Sequence, residues 1–237
     1  MTDPLRVGVI QSCYLPWRGY FDFIDSVDLF VVYDDVQYST GSWRNRNQVK
    51  TEAGLKWITV PVKKKLGLAI DETEVEYGQP WIEQHRGLLQ ASLAKCPHYA
   101  DAVSLWNEGI AAGGRTISEL NMNLLVPVCR YLGIGTRIIH SRSLGLTGAK
   151  TERLIALLRA VGGTTYVSGP AAKSYLDYEQ FRQNGIRLEF KSYSYPPYPQ
   201  PFGPFQGAVS ILDLIANTGS DARRYLASET PNEVAVG

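Results

Sequence analysis

Apolar positions recur in short runs and in helical stripes, and the two alternate along most of the chain. Leu5–Ile10 and Leu29–Tyr33 read as buried strands, with Trp17–Val27 between them as a helix. Ser42–Lys50 and Lys56–Val62 read as a β-hairpin turning at Thr51-Glu52-Ala53-Gly54, followed by a solvated loop at Lys63–Lys65. Pro80–Ala94, Ala100–Ala112 and Thr116–Leu132 have helical spacing; in the last, Ile117, Leu120, Leu124, Leu125 and Val128 form one stripe and Gly133 and Gly135 follow it. Then strands (Thr136–Ile139, Thr164–Val167, Ile186–Phe190) alternate with helices (Lys150–Val161, Tyr178–Asn184). Tyr193–Phe205 is too rich in proline for regular structure. Ser210–Asn217 and Asp221–Leu226 read as closing helices, and the tail from Ser228 is expected to fray. Strands alternating with helices at both ends imply a three-layer, largely parallel α/β sheet with a hairpin and a helical insertion or lid at about 80–132. The expected organisation is a single α/β domain over 1–227 with a tail at 228–237.

Composition narrows the function classes. The 237 residues are 44% hydrophobic and 20% charged, an ordinary globular balance, and the net charge of +1 gives no bulk attraction to nucleic acid or to an anionic membrane. Met1–Arg6 lacks a signal-peptide pattern, and no apolar run approaches the roughly 20 residues of a membrane span. Cys13, Cys96 and Cys129 are odd in number and lack metal spacing, as expected of reduced thiols in a cytoplasmic protein. No metal site is expected, and the missing Walker A, G-x-G-x-x-G, G-x-S-x-G and zinc patterns weigh against the classical cofactor classes while leaving the cofactor open.

Candidate chemistry concentrates where strands end, because α/β proteins bind ligands outside the carboxyl ends of their strands. Gln11, Tyr14, Trp17 and Tyr20 follow the first strand; Asp34, Asp35 and Gln37 follow the second. Asp34 and Asp35 are candidates for a general base, one in the site and one in a turn, with either assignment open. On an extended Trp43–Asn47, Arg44 and Arg46 share one face and Asn45 and Asn47 the other, and two arginines side by side suit a phosphate or carboxylate. Ser168 and Gly169, with Tyr175 beyond, repeat the strand-to-site transition; Ser141 follows another strand and Lys150 opens a helix. Tyr193, Tyr195 and Tyr198 are candidates for an aromatic wall, and His140 for the same sheet edge. Cys13 has no histidine nearby in sequence and reads as a half-buried thiol.

In order along the chain, Gln11-x-x-Tyr14-Leu-Pro-Trp17-x-Gly19-Tyr20-Phe21, Asp34-Asp35-Val36-Gln37-Tyr38, Arg44-Asn45-Arg46-Asn47, Trp57-Ile-Thr-Val-Pro61, Lys150-Thr151-x-Arg153-Leu154, Tyr166-Val-Ser168-Gly169 and Ser210-Ile-Leu-Asp213 resemble the WbqC-like family. One departure is Ile10-Gln11-Ser12, where the family often has His-Gln-Pro. The resemblance implies small-molecule or sugar-modifying chemistry in glycan or natural-product biosynthesis, with no mechanism to carry over. The opening also resembles, by analogy only, a Rossmann-like nucleotidyl-transferase with a HIGH loop, although the two histidines are missing. The leading expectation is a transferase that modifies an amino group of an activated sugar by acyl or aminoacyl transfer. Its partners would be small molecules, a nucleotide sugar and an acyl or aminoacyl donor. In that reading Asp34 or Asp35 with Gln11 does the chemistry, and the other residues named bind substrate. The alternatives are a nucleotide-dependent adenylylating or ligating enzyme and a non-catalytic sugar-nucleotide or carrier-binding protein.

Overall fold

The computed structural model describes residues 5–63 and 65–237. Strands β1 (Arg6–Ile10), β2 (Leu29–Val32), β5 (Arg137–His140), β6 (Thr165–Ser168), β7 (Arg187–Phe190) and β8 (Glu233–Val236) form one sheet in the order β5-β2-β1-β6-β7-β8. Every pairing is parallel except that of β7 with β8. The hairpin β3 (Arg46–Thr51) and β4 (Gly54–Thr59) is a separate two-stranded sheet. The chain leaves β1 for β2 and β5 on one side, then crosses back to β6 and β7 on the other. The switch point of this Rossmann-like α/β fold therefore lies between β1 and β6.

The period of two along each strand divides the core. Val7, Val9, Leu29, Val31, Tyr166, Leu188 and Phe190 pack with helices α5 (Lys150–Val161) and α6 (Tyr178–Gln183) on one face. Phe30, Val32 and Val167 face the other way. There they meet α1 (Arg18–Asp25) and, beyond it, α2 (Trp81–Leu93), α3 (Tyr99–Ala112), α4 (Ile117–Tyr131), the hairpin and α7 (Ile211–Thr218). Gly8 lets α1 sit close, because a Cβ there would meet the Phe23 ring at 2.4 Å. Gly162 closes α5 in the left-handed conformation, φ 74°.

Several local expectations change. The helical block over 80–132 is the expected insertion, and it packs into the layer behind the sheet. Its α4 starts at the cap Thr116, whose capping box with Glu119 fixes the position of the first turn. The tail expected to fray instead supplies β8, because Val236 is buried against the sheet and Asn232 donates to Glu189. The closing segment expected as a helix at Asp221–Leu226 is a 3₁₀ run, Gly219–Tyr225. Trp43–Asn47 is not an extended strand, since a turn precedes β3 at Arg46. Lys64, in the expected solvated loop, and Met1–Pro4, in the opening judged for a signal peptide, lie outside the described residues. No helix among the described residues is long and apolar enough to cross a membrane.

Candidate functional site

At the switch point the carboxyl ends of β1, β2 and β6 and the start of α5 enclose a cleft of about 660 Å³, within the size range of small-molecule sites. Gln11, Asp35, Gln37, Arg44, Lys150, Ser168, Gly169 and Tyr175 all line it. Among the described residues three cations, Arg44, Lys150 and Arg153, face one carboxylate, Asp35, so the cleft favours an anion.

The two neighbouring aspartates have different fates. Asp34 is buried behind the cleft: its Oδ1 accepts the Ser12 N–H at 2.8 Å and its Oδ2 accepts the Ser118 hydroxyl at 2.5 Å. It ties the end of β1 to α4. Asp35 turns into the cleft, with Oδ1 accepting from Ser141 Oγ and Oδ2 from Arg153 Nη2, both at 2.5 Å. Ser141 itself is buried, so it holds Asp35 from behind.

Arg153 also lies over the Tyr33 ring at 4.9 Å. Both Arg153 and Arg44 keep a buried Nε that finds no acceptor among the described residues. Arg44 uses Nη1 to donate to the Gln11 carbonyl at 3.1 Å, and its own carbonyl accepts from Asn121 Nδ2 at 2.8 Å. Two guanidinium groups on the wall of a cationic cleft suit an oxyanion.

The start of α5 adds to this. Its cap residue, Ala149, offers no side-chain acceptor, so the first N–H groups of a 12-residue helix are left without a side-chain cap beside the cleft. Lys150 adopts φ 52°, a left-handed backbone that a non-glycine residue holds only under constraint.

The other sequence candidates separate. Arg46 does not join Arg44: the turn before β3 rotates it away, and its guanidinium lies 4.3 Å from the centre of the Trp57 ring. Asn45 and Asn47 are buried and hold backbone: Asn45 donates to Val60 O, and Asn47 to Tyr14 O and Leu15 O. Tyr14 is a core residue in a relay: the Trp106 indole N–H donates to its hydroxyl, which faces His85 Nδ1 at 2.9 Å. His85 Nε2 lies 3.2 Å from the Thr59 carbonyl, which can only accept, so the proton sits on Nε2 and Nδ1 accepts from Tyr14. Trp17 and Tyr20 line a different cavity.

Tyr195 donates to Asp22 and Tyr198 to Asp213, so these two tyrosines pin the proline-rich loop to α1 and α7 and do not line the cleft. Tyr193 packs on Trp17. His140 is exposed on β5, the edge strand. The thiols of Cys13, Cys96 and Cys129 are buried, and desolvation pushes them up to about 11, 11 and 12. No cluster of three metal-ligating side chains occurs among the described residues.

Sequence reasoning missed Arg153 as a site residue, together with the support from Ser118 and Asn121. Arg153 had a legible signal: it lies three residues after Lys150, so both stand on the first turn of one helix. Ser118 and Asn121 had none, because their partners lie 77 to 109 residues away.

The comparisons agree in extent. The 43% identity to "Uncharacterized protein Rv1507c" of Mycobacterium tuberculosis runs over 226 residues, 93% of this chain and 97% of that protein. No solved structure matches the chain. The model of the WbqC-like protein family matches residues 11–225, which include Gln11 at the end of β1, the Asp34–Asp35 pair, Arg44 and the cationic start of α5, and the chain belongs to that family.

Proposed function

We propose that this protein is a transferase that modifies an amino group of a phosphate-bearing, activated sugar or a related small metabolite, by acyl or aminoacyl transfer. In this reading it acts in the cytoplasm, in glycan or natural-product biosynthesis. The observation that carries the reading is the cleft itself: Arg44, Lys150 and Arg153 gather beside an uncapped helix start at the switch point. That arrangement suits the phosphate of an activated sugar.

Among the described residues Asp35 is the one carboxylate on the cleft wall, and each of its oxygens keeps a lone pair beyond the bonds to Ser141 and Arg153. As the amine nitrogen bonds to the acyl carbon, the bond from that carbon to its leaving group breaks. Asp35 would take the proton released by the amine and return it to the leaving group. Gln11 and Ser168, on the same walls, would orient the sugar's polar groups.

The test has two parts. Titration with inorganic pyrophosphate and with nucleotide sugars should raise the melting temperature, because a ligand that binds only the folded chain stabilises it. Asp35→Asn should keep that response yet lower product formation from an amino sugar and an acyl donor by roughly 10²–10⁴-fold. Release of pyrophosphate dependent on ATP would instead support adenylylation, and tight binding with no turnover of any pair would support a carrier role. No response to any anion would sink all three.

A further inference from the structure

The Gln11 carbonyl stands between two cavities. From the cleft wall Arg44 donates to it at 3.1 Å; from the other side the Tyr20 hydroxyl donates at 3.0 Å. Tyr20 belongs to a second cavity of about 250 Å³, together with Cys13, Pro16, Trp17, Trp43 and Ala208. Two walls built on one peptide group place these cavities side by side.

The second cavity differs in kind from the first. No lysine, arginine, aspartate or glutamate among the described residues lines it, and its polar groups are already engaged. Asn47 spends its amide N–H groups on Tyr14 O and Leu15 O, and its carbonyl on the Gln48 N–H. The Tyr20 hydroxyl is spent on Gln11, and the Cys13 thiol lies 3.8 Å from the same carbonyl. What is left is aromatic and aliphatic surface. Trp43 on this wall is 46% exposed and packs on Trp57, which is 43% exposed, with ring centroids 5.4 Å apart. Large exposed aromatics beside a concave apolar surface mark a place where an apolar group is taken out of water. An apolar cavity of about 150 Å³ already holds a benzene ring, so this one has room for a single aromatic ring or a short acyl chain.

We infer that this second cavity is the subsite for an uncharged apolar group, a short acyl chain or one aromatic ring, carried by the second reactant. Its part in the transfer rests on the function proposed above; the binding of the apolar group does not.

Hexanamide and benzamide serve as neutral probes on the full chain, with inorganic pyrophosphate as the probe of the cleft. At millimolar concentration at least one amide should raise the melting temperature and change the tryptophan fluorescence, since Trp17 and Trp43 line the cavity. Ala208→Phe, made at an exposed lining position, should weaken the amide by more than about tenfold and leave the pyrophosphate response intact. An amide response with no pyrophosphate response upholds the subsite and defeats the anion reading of the cleft. Silence from both amides, or a response that survives Ala208→Phe unweakened, overturns the subsite while pyrophosphate binding still upholds the cleft.

Discussion

Asp34 and Asp35 are adjacent in sequence, and their substitutions should fail in different ways. Asp34 is buried, and both its oxygens accept, from the Ser12 N–H and the Ser118 hydroxyl. Asp34→Ala leaves two buried donors without a partner, at about 1–3 kcal/mol each, so the expected loss is about 3–5 kcal/mol. For a chain of this size each kcal/mol lowers the melting temperature by about 2–4 °C, which predicts a fall of roughly 6–20 °C. Asp34→Asn keeps an acceptor for Ser12, and its new N–H₂ can donate to a Ser118 hydroxyl that rotates to accept; its cost should be about 1 kcal/mol. Neither change alters the charge on the cleft wall.

Asp35→Asn does alter it. For a unit negative charge bound about 8 Å away, at an effective dielectric constant of about 20 to 40, removing the Asp35 charge favours the anion by about 1–2 kcal/mol. Pyrophosphate should bind roughly 5- to 30-fold more tightly by calorimetry at low salt, and the gain should shrink as salt is raised. Weaker pyrophosphate binding in Asp35→Asn, or an equal gain in Asp34→Asn, would refute this division of roles.

Other outcomes follow from the same geometry. Arg44→Ala should weaken pyrophosphate binding by about 1.5–3 kcal/mol, and Arg44→Lys should recover only part of that because the planar fork is lost; unchanged calorimetric affinity in both would remove Arg44 from the anion site. Lys150→Gly should raise the melting temperature, since glycine relieves a left-handed backbone worth about 1 kcal/mol, while lowering anion affinity; a fall in both would show that Lys150 contributes to the fold. Burial lowers His85 from 6.5 to about 4. Its folded pKa is therefore below its unfolded one, and the unfolded chain binds the extra proton between these values. Stability should be full above about pH 6.5 and decline as pH falls toward 4, with His85 contributing at most about 1.4 kcal/mol per pH unit. Urea unfolding of the wild type and of His85→Gln across this range checks it, and an identical slope in both would assign the pH dependence elsewhere.

The alternation of buried strands and amphipathic helices was legible in the sequence because it is a local property. A residue faces the core or solvent according to its own side chain, and the period follows from the backbone. Helix Lys150–Val161 shows this at its sharpest, with Gly162 as its left-handed stop. The parallel sheet and the clustering of polar residues at strand ends follow from the same pattern and the switch-point rule. The tertiary structure decided which of two like neighbours does what. Asp34 and Asp35 carry the same side chain one residue apart, yet Ser12 and Ser118 capture one while Ser141 and Arg153 hold the other. Arg44 and Arg46 would share a face on a strand; a turn separates them and Trp57 captures Arg46. Tyr14, Trp17 and Tyr20 read together as substrate-binding residues after the first strand, but the path of the β1–α1 loop places the first in the core and the other two in a separate cavity. The tail from Ser228 lacks the pattern of a buried strand, and only the open edge of β7 makes one of it. In each case the deciding partner is remote in the chain, so local periodicity reports that a residue is buried or polar but not what it meets.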